Sequence, residues 1–327
     1  MPAGLPPRYV MYVMALPRLL TDAGHRVWFA GSTAVRLLRR SSLPDQVDLA
    51  TDASLVDLSS IAENLAFPGI DGVDALVRAG GREWLVTCDF NPERQRWSDI
   101  TELNLYQACV GGDFRDPLDA YYRIRNGDLS VSPGIAPPRG LGADRRPVLL
   151  LQDVVTAVAI LDIDVPRELL RQVSDAADAA AAASPDEQRV LLTRIVGGPG
   201  ADRALDMLHR LRLVQEWWPE LAEMAGTEQG KEHHPEGDVW RHTMAALRER
   251  KTDDVLIGLS VLLHDVGKPH SPRTRERAFD GHAERGAEIA NAFLSRLRVP
   301  QETREAVVWM VEHHMIPGAL SRLPGTR

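Results

Sequence analysis

The 327 residues are 44% hydrophobic and 26% charged, the balance of a soluble globular protein with room for two or three domains. Lys and Arg number 38 against 46 Asp and Glu, a net charge of −8 that argues against a tight non-specific grip on nucleic acid. Cys88 and Cys109 form no CxxC pair, no apolar run reaches the ~18 residues of a membrane span, and the apolar stretch at 9–16 has no basic lead-in, so a reducing, cytoplasmic location is expected.

In chain order, residues 8–24 place Val10, Val13, Met14, Leu16 and Leu20 at helical spacing. A β-rich run at 26–30 leads into Gly31-Ser32, a helix over 33–40, a strand over 46–51 and a helix over 55–65. Runs at 75–79 and 82–90 flank Gly80-Gly81 and predict a hairpin. The first 130 residues are therefore α/β with a mixed sheet. The stretch 131–147, with Pro133, Gly134, Pro137 and Pro138, predicts a flexible connector. Its Arg139, Arg145 and Arg146 are candidates for RNA phosphates, beside the plainer reading of a solvated loop. Helices follow at 147–162, 166–183, 185–195 and 201–213, then Trp217-Trp218, expected in the core. His209 is expected to be structural.

From Gly230 onward the charges nearly balance (15 basic, 14 acidic), so a phosphate substrate is tolerable there. An apolar helix ends in His264-Asp265 and breaks at Gly267 and Pro269. Neighbours on a helix point about 100° apart, so the two side chains converge only on something between them. A metal ion is the natural candidate, because imidazole nitrogen and carboxylate oxygen are both good ligands. Upstream, His242 sits on a helix beginning near Asp238. Downstream, His282 stands at a helix start, and His313-His314 stand late in the helix that Pro300 opens. Most of the ten histidines lie between His233 and His314. Any one alone reads as a surface or capping residue. Spread over successive helices, they predict a centre facing the inside of a bundle and holding one or two ions of Mn, Ni, Co, Fe or Zn. Lys268 is a candidate point charge for a phosphate oxygen, or a helix-terminal lysine favouring the dipole. Arg285, three residues beyond His282 on the same face, is a second phosphate candidate.

His242, His264-Asp265, His282 and His313/His314 resemble the HD superfamily of metal-dependent phosphohydrolases. His-Pro-Glu-Gly-Asp-Val-Trp (234–240), Leu-Leu-His-Asp-Val-Gly-Lys-Pro (262–269) and Gly-His-Ala-Glu-Arg-Gly-Ala (281–287) are similar to the C-terminal HD domain of the bacterial CCA-adding tRNA nucleotidyltransferase and poly(A) polymerase family. The resemblance extends to the first part, where strand, Gly31-Ser32, helix and a strand bearing Val47-Asp48-Leu49-Ala50-Thr51 outline a nucleotidyltransferase head. It implies that the small pair lets backbone N–H groups approach a triphosphate. It also implies that alternate carboxylates on the second strand hold two divalent ions. Here the first carboxylate position is Gln46, and only Asp48 is in register. Asp45 points to the opposite face unless a bulge turns it. The family's Arg-Arg-Asp segment corresponds to 100–106, which has no arginine. Its arginine-rich neck helix corresponds to 147–163, with Leu149, Leu150, Gln152, Val155 and Ala159 at the polar positions. HD domains commonly supply a final Asp from a later helix, and none follows Asp280. A water, Glu312 or a second histidine then takes its place, or metal affinity falls.

The expected fold class is α+β. A nucleotidyltransferase-like mixed-sheet head (1–130) carries a degenerate site at Gly31, Ser32, Gln46 and Asp48. A linker and helical neck/body (131–229) and an all-α HD bundle (230–327) follow. The expected metal ligands are His242, His264, Asp265, His282, His313 and His314, with Asp265, Lys268 and Arg285 as catalytic residues. The resemblance implies hydrolysis of phosphate esters of RNA ends or nucleotides, of 2′,3′-cyclic phosphodiesterase or phosphatase type. The expected partner is RNA, tRNA included, or a nucleotide, with no membrane. Two readings stay open: an active CCA-adding nucleotidyltransferase, and a non-catalytic RNA-binding protein whose metal is structural.

Overall fold

The computed structural model describes residues 15–39, 41–132, 145–229, 237–272 and 279–316. Two units divide at Ala180 and Ala181, so the boundary falls inside the stretch expected to be linker and neck (131–229).

The first unit is built on a mixed seven-stranded sheet. Its strands are β1 (Val27–Ala30), β2 (Gln46–Thr51), β3 (Leu65–Ala66), β4 (Ala75–Ala79), β5 (Arg82–Thr87), β6 (Tyr106–Ala108) and β7 (Phe114–Arg115), in the order β3-β4-β5-β2-β1-β6-β7. β2 pairs in parallel with β5, and the other pairs are antiparallel. The period-two alternation of strands sorts the side chains. Val27, Phe29, Val47, Leu49, Trp84 and Val86 pack on one face with Leu16 and Leu20 of α1 (Ala15–Asp22) and Leu58 of α3 (Leu55–Ile61). Trp28, Ala30, Ala50, Phe90, Trp97 and Tyr106 form a second cluster on the other face. Gln46 and Asp48 share the parity of Ala50 and belong to that second face.

Several elements differ from the sequence pattern. α2 (Gly31–Leu38) starts directly on Gly31. α3 stops at Ile61, and the chain turns through Asn64 at φ 58° into β3, so a short strand replaces the end of the helix expected over 55–65. β5 stops at Thr87, because Asp74 takes the Cys88 N–H and Asp89 turns at φ 50°. β6, β7 and α4 (Ala120–Asn126) were not anticipated. Asp116 starts α4 by accepting from the N–H groups of Ala120 and Tyr121. α5 (Arg146–Leu161) is the apolar helix expected from sequence, buried along most of its length. The helix expected over 166–183 is two pieces, α6 (Arg167–Asp175) and α7 (Ala177–Ala180). Arg145 and Arg146 pair with Asp71 and Asp99, both at about hydrogen-bond distance. Arg139 and residues 8–14 lie outside the described residues.

The second unit is helical. α8 (Pro185–Val196) opens with a capping box between Ser184 and Glu187. α9 (Ala201–Arg210), α10 (Leu213–Trp217) and α11 (Pro219–Ala222) follow, then α12 (Val239–Glu249), α13 (Val255–Leu263), α14 (His282–Arg296) and α15 (Gln301–His313). Trp217 and Trp218 are buried, as expected. His209 stacks on Trp240 with ring centroids 4.9 Å apart, away from the other histidines. Mixed-sheet head and helical remainder make the chain α+β.

Candidate metal centre

Each ligand-bearing segment of the second unit is fixed by a local device. Asp238 caps α12 by accepting from the Arg241 N–H, which sets the turn that carries His242. Asp254 caps α13 in the same way. That helix is apolar from Val255 to Leu263 and ends on His264, so the pair His264-Asp265 emerges where the regular helix stops. A turn of 3₁₀ helix over Lys268–His270 follows. α14 begins on His282, after Gly281 at φ 71°. α15 follows Pro300 and packs along α14 and α13. Gly267 makes the arrangement possible. A Cβ on it would fall on the His282 carbonyl and on the Gly286 backbone nitrogen and Cα, so the loop after Asp265 lies directly on α14.

These elements bring four imidazoles onto one carboxylate. The Oδ2 of Asp265 lies 3.1 Å from His264 Nε2 and 3.6 Å from His242 Nε2. Its Oδ1 lies 3.4 Å from His282 Nε2 and 3.7 Å from His314 Nε2. Two donor sets result, His242/His264/Asp265 and Asp265/His282/His314, sharing the carboxylate. The Nδ1 atoms of His264, His282 and His314 face the carbonyls of Val261, Phe279 and Val311 at 2.7, 2.9 and 2.7 Å. A carbonyl only accepts, so in each ring Nδ1 carries the proton and Nε2 presents a lone pair to the centre. This second-sphere orientation is typical of metal-ligating histidine. With both rings neutral, the Nε2 atoms of His282 and His314 face each other 3.2 Å apart, an arrangement that a metal ion or a proton between them relieves.

The electrostatics agree. Asp265 is 1% exposed. Burial alone would push its carboxyl up, but His264 and the ammonium of Lys268 beside it outweigh burial and hold it well below the usual carboxylate range. Its Oδ2 has charged neighbours but no donor in hydrogen-bond geometry, the state of an oxygen suited to a metal. Burial lowers His314, reinforced by His264 and His282, which favours the neutral, ligating imidazole. The donor set of imidazole nitrogens around a shared carboxylate fits Mn, Fe, Co, Ni or Zn, and the cofactor is a divalent metal ion.

Three of the expected site residues sit differently. His313 is not in the cluster. Its Nδ1 donates to the Trp309 carbonyl at 2.8 Å, and its ring stacks on Trp309 at 4.6 Å. Adjacent helical residues point about 100° apart, and of this pair it is His314 that faces Asp265. His314 belongs to a donor set, while Glu312 belongs to neither among the described residues. Lys268 does not hold its ammonium open for phosphate: Nζ is 2.7 Å from Asp265 Oδ2 and 2.6 Å from Gln229 Oε1. Arg285 donates from Nη1 to the Ser271 hydroxyl at 2.9 Å. Gln229 escaped the sequence reading because a lone glutamine before the first motif carries no signal of its own.

In the head, the degenerate site is occupied by the protein's own side chains. A Cβ on Gly31 (φ 52°) would collide with the Trp97 indole, so this close approach belongs to tryptophan. The Ser32 hydroxyl donates to Asp48 Oδ2 at 2.5 Å, and the Thr33 hydroxyl accepts the Asp48 N–H at 2.9 Å. The Gln46 amide donates to Glu83 at 3.2 Å, and Glu83 pairs with Arg78 at 2.9 Å. β2 and β5 pair one to one from Gln46 to Ala50, and Asp45 lies outside the strand, so no bulge within it turns Asp45 inward.

A family model described as HD domain matches residues 233–324. The chain is 36% identical over 186 residues to the CC-adding tRNA nucleotidyltransferase of Thermus thermophilus, a match covering 53% of this chain and 41% of that protein. It is 35% identical over 159 residues to the A-adding tRNA nucleotidyltransferase of Deinococcus radiodurans, covering 46% and 36%. These matches span less than half the length of either relative. Among solved structures, that of the Bacillus stearothermophilus CCA-adding enzyme in complex with CTP aligns at a TM-score of 0.45 and 16% identity, over 96% of this chain and 94% of that one. Residues 233–324 thus match the HD domain model, and about half of the chain is similar to tRNA nucleotidyltransferases.

Proposed function

We propose that the chain is a metal-dependent phosphohydrolase, acting through the Asp265 centre on phosphate esters of RNA ends or nucleotides. The observation that carries the reading is the convergence of four Nε2 atoms on one buried carboxylate. When bound there, a divalent cation supplies Lewis acidity, polarising a phosphoryl oxygen and making water a nucleophile at neutral pH. His242 and His264 with Oδ2, and His282 and His314 with Oδ1, would hold one or two such ions. Asp265 is kept ionised by its neighbours, with Lys268 Nζ 2.7 Å from its Oδ2. Arg285, whose Nη1 donates to the Ser271 hydroxyl, would be the residue to meet a phosphate oxygen. Residues 230–327 would form this catalytic domain, 131–229 the linker and neck, and 1–130 the head.

The head would contribute RNA binding rather than nucleotide transfer. Its relatives are named for work on tRNA, which favours tRNA or another RNA as partner and makes nucleotidyl transfer the second reading. Against that reading stand Gln46 in place of a carboxylate, Trp97 on Gly31 and Ser32 on Asp48.

The test is hydrolysis of 2′,3′-cyclic AMP and a phosphomonoester with Mn, Ni, Co, Zn or Mg added singly, beside His264→Ala and Asp265→Ala. Metal-dependent turnover lost in both variants is expected. Metal bound without turnover by folded protein would leave the non-catalytic reading. Incorporation of labelled CTP or ATP into tRNA lacking its 3′ end would revive the transferase.

A further inference from the structure

The buried amide of Gln229 has no part in the metal-binding set and yet is built into its surroundings. It is 6% exposed. Its Oε1 accepts from Lys268 Nζ at 2.6 Å, while its Nε2 is buried with no hydrogen-bond partner. An orphaned buried donor is costly, so the amide is turned this way by the ammonium and not by its own needs. Its segment is tied to the centre a second time, through the bridge between Glu228 and Asp238, the residue that caps α12 and so sets His242.

Lys268 creates the need for such an anchor. Its ammonium lies 2.7 Å from Asp265 Oδ2, the oxygen that also faces His242 and His264. A dication on that oxygen and those imidazoles would repel the ammonium across a few ångströms of buried space, where charges are poorly screened. An untethered lysine would compete with the metal for Oδ2. One held from its far side can neutralise part of the carboxylate's charge while leaving the imidazole-facing side of the oxygen open. The neutral carbonyl of Gln229 supplies the tether, and the Phe279 ring, 5.6 Å from Nζ, flanks the same ammonium.

We infer that Gln229 is a positioning residue of the metal centre: through Lys268 it keeps the Asp265 Oδ2 available to a divalent cation. The inference rests on the metal-centre reading above. The test is calorimetric titration of the metal-free full chain with MnCl2, with circular dichroism to establish folding. Gln229→Met, close in shape but without the carbonyl, should weaken Mn binding about tenfold, as loss of an outer-shell partner does. Gln229→Glu keeps an acceptor for the ammonium and should bind Mn at least as well as wild type, a rescue that damaged packing would not give. In a Lys268→Met background the Gln229→Met change should have no further effect. Should Gln229→Met fail to fold, Gln229→Asn withdraws the carbonyl by one methylene and should weaken binding in its place. Equal Mn affinity of wild type and the methionine or asparagine variant, or an undiminished loss in the Lys268→Met background, would overturn the role of Gln229 alone. A wild-type chain that binds no Mn, Ni, Co or Zn would overturn the metal centre itself.

Discussion

At the scale of single residues, the centre turns on which of two adjacent histidines faces inward. His313 and His314 are indistinguishable in a sequence and opposite in place. One stacks on the exposed Trp309, and the other has Nδ1 locked on Val311 and Nε2 turned to Asp265. The expected outcome is therefore asymmetric. His314→Ala should lower divalent-metal affinity by about tenfold or more, on the scale seen when a site's oriented partners are lost. His313→Ala should leave affinity unchanged, and calorimetric titration with Mn or Ni reads both. Equal losses would mean that the end of α15 is turned differently when a metal is bound.

At the scale of elements, the centre exists because a loop without side chains lies on a helix. Gly267 leaves room for the backbone of His282 and Gly286, and a Cβ on Gly286 would lie 3.3 Å from a Val311 methyl and 3.4 Å from Gly267 N. Gly267→Ala places a methyl against backbone atoms that cannot move aside. It should cost about 1–3 kcal/mol, as overpacking does, and should part Asp265 from His282. Gly286→Ala meets a side chain that can yield by a few tenths of an ångström and should cost less. Thermal unfolding without metal ranks the two, and Mn affinity should follow the same order. A harmless Gly267→Ala would show that this contact does not set the centre. Much of this was legible beforehand. The motif words placed His242, His264, Asp265 and His282 on the right helices, because apolar periodicity and a cap such as Asp238 are local signals. The hairpin of β4 and β5 and the apolar α5 were legible for the same reason. What was not legible depends on contacts distant in sequence. Trp97 fills the space over Gly31, β6 gains its place beside β1 and β7 beside β6, and the Lys268 ammonium turns to Asp265 and Gln229.

At the scale of the whole molecule, two compact units divide at Ala180 and Ala181, and their expected responses to ligands differ. The second unit holds the donor sets around Asp265. In the first, Asp48 is engaged by Ser32 and Thr33, and Gly31 is covered by Trp97. A ligand that binds only the folded state stabilises it by about 2.7 kcal/mol at a hundredfold excess over Kd. For a unit of this size that is a shift of roughly 5–10 °C. Scanning calorimetry of the full chain should therefore show one transition that rises with Mn and falls back with EDTA, and a second that stays where it is. Magnesium with CTP should leave that second transition unmoved as well, because the approach a triphosphate needs is taken by an indole. Movement of the second transition with magnesium and CTP would mean that Trp97 can leave Gly31, and the head would again be a candidate for nucleotide binding. A single transition that follows Mn as a whole would mean that the two units unfold together, and that metal at Asp265 stabilises the head as well.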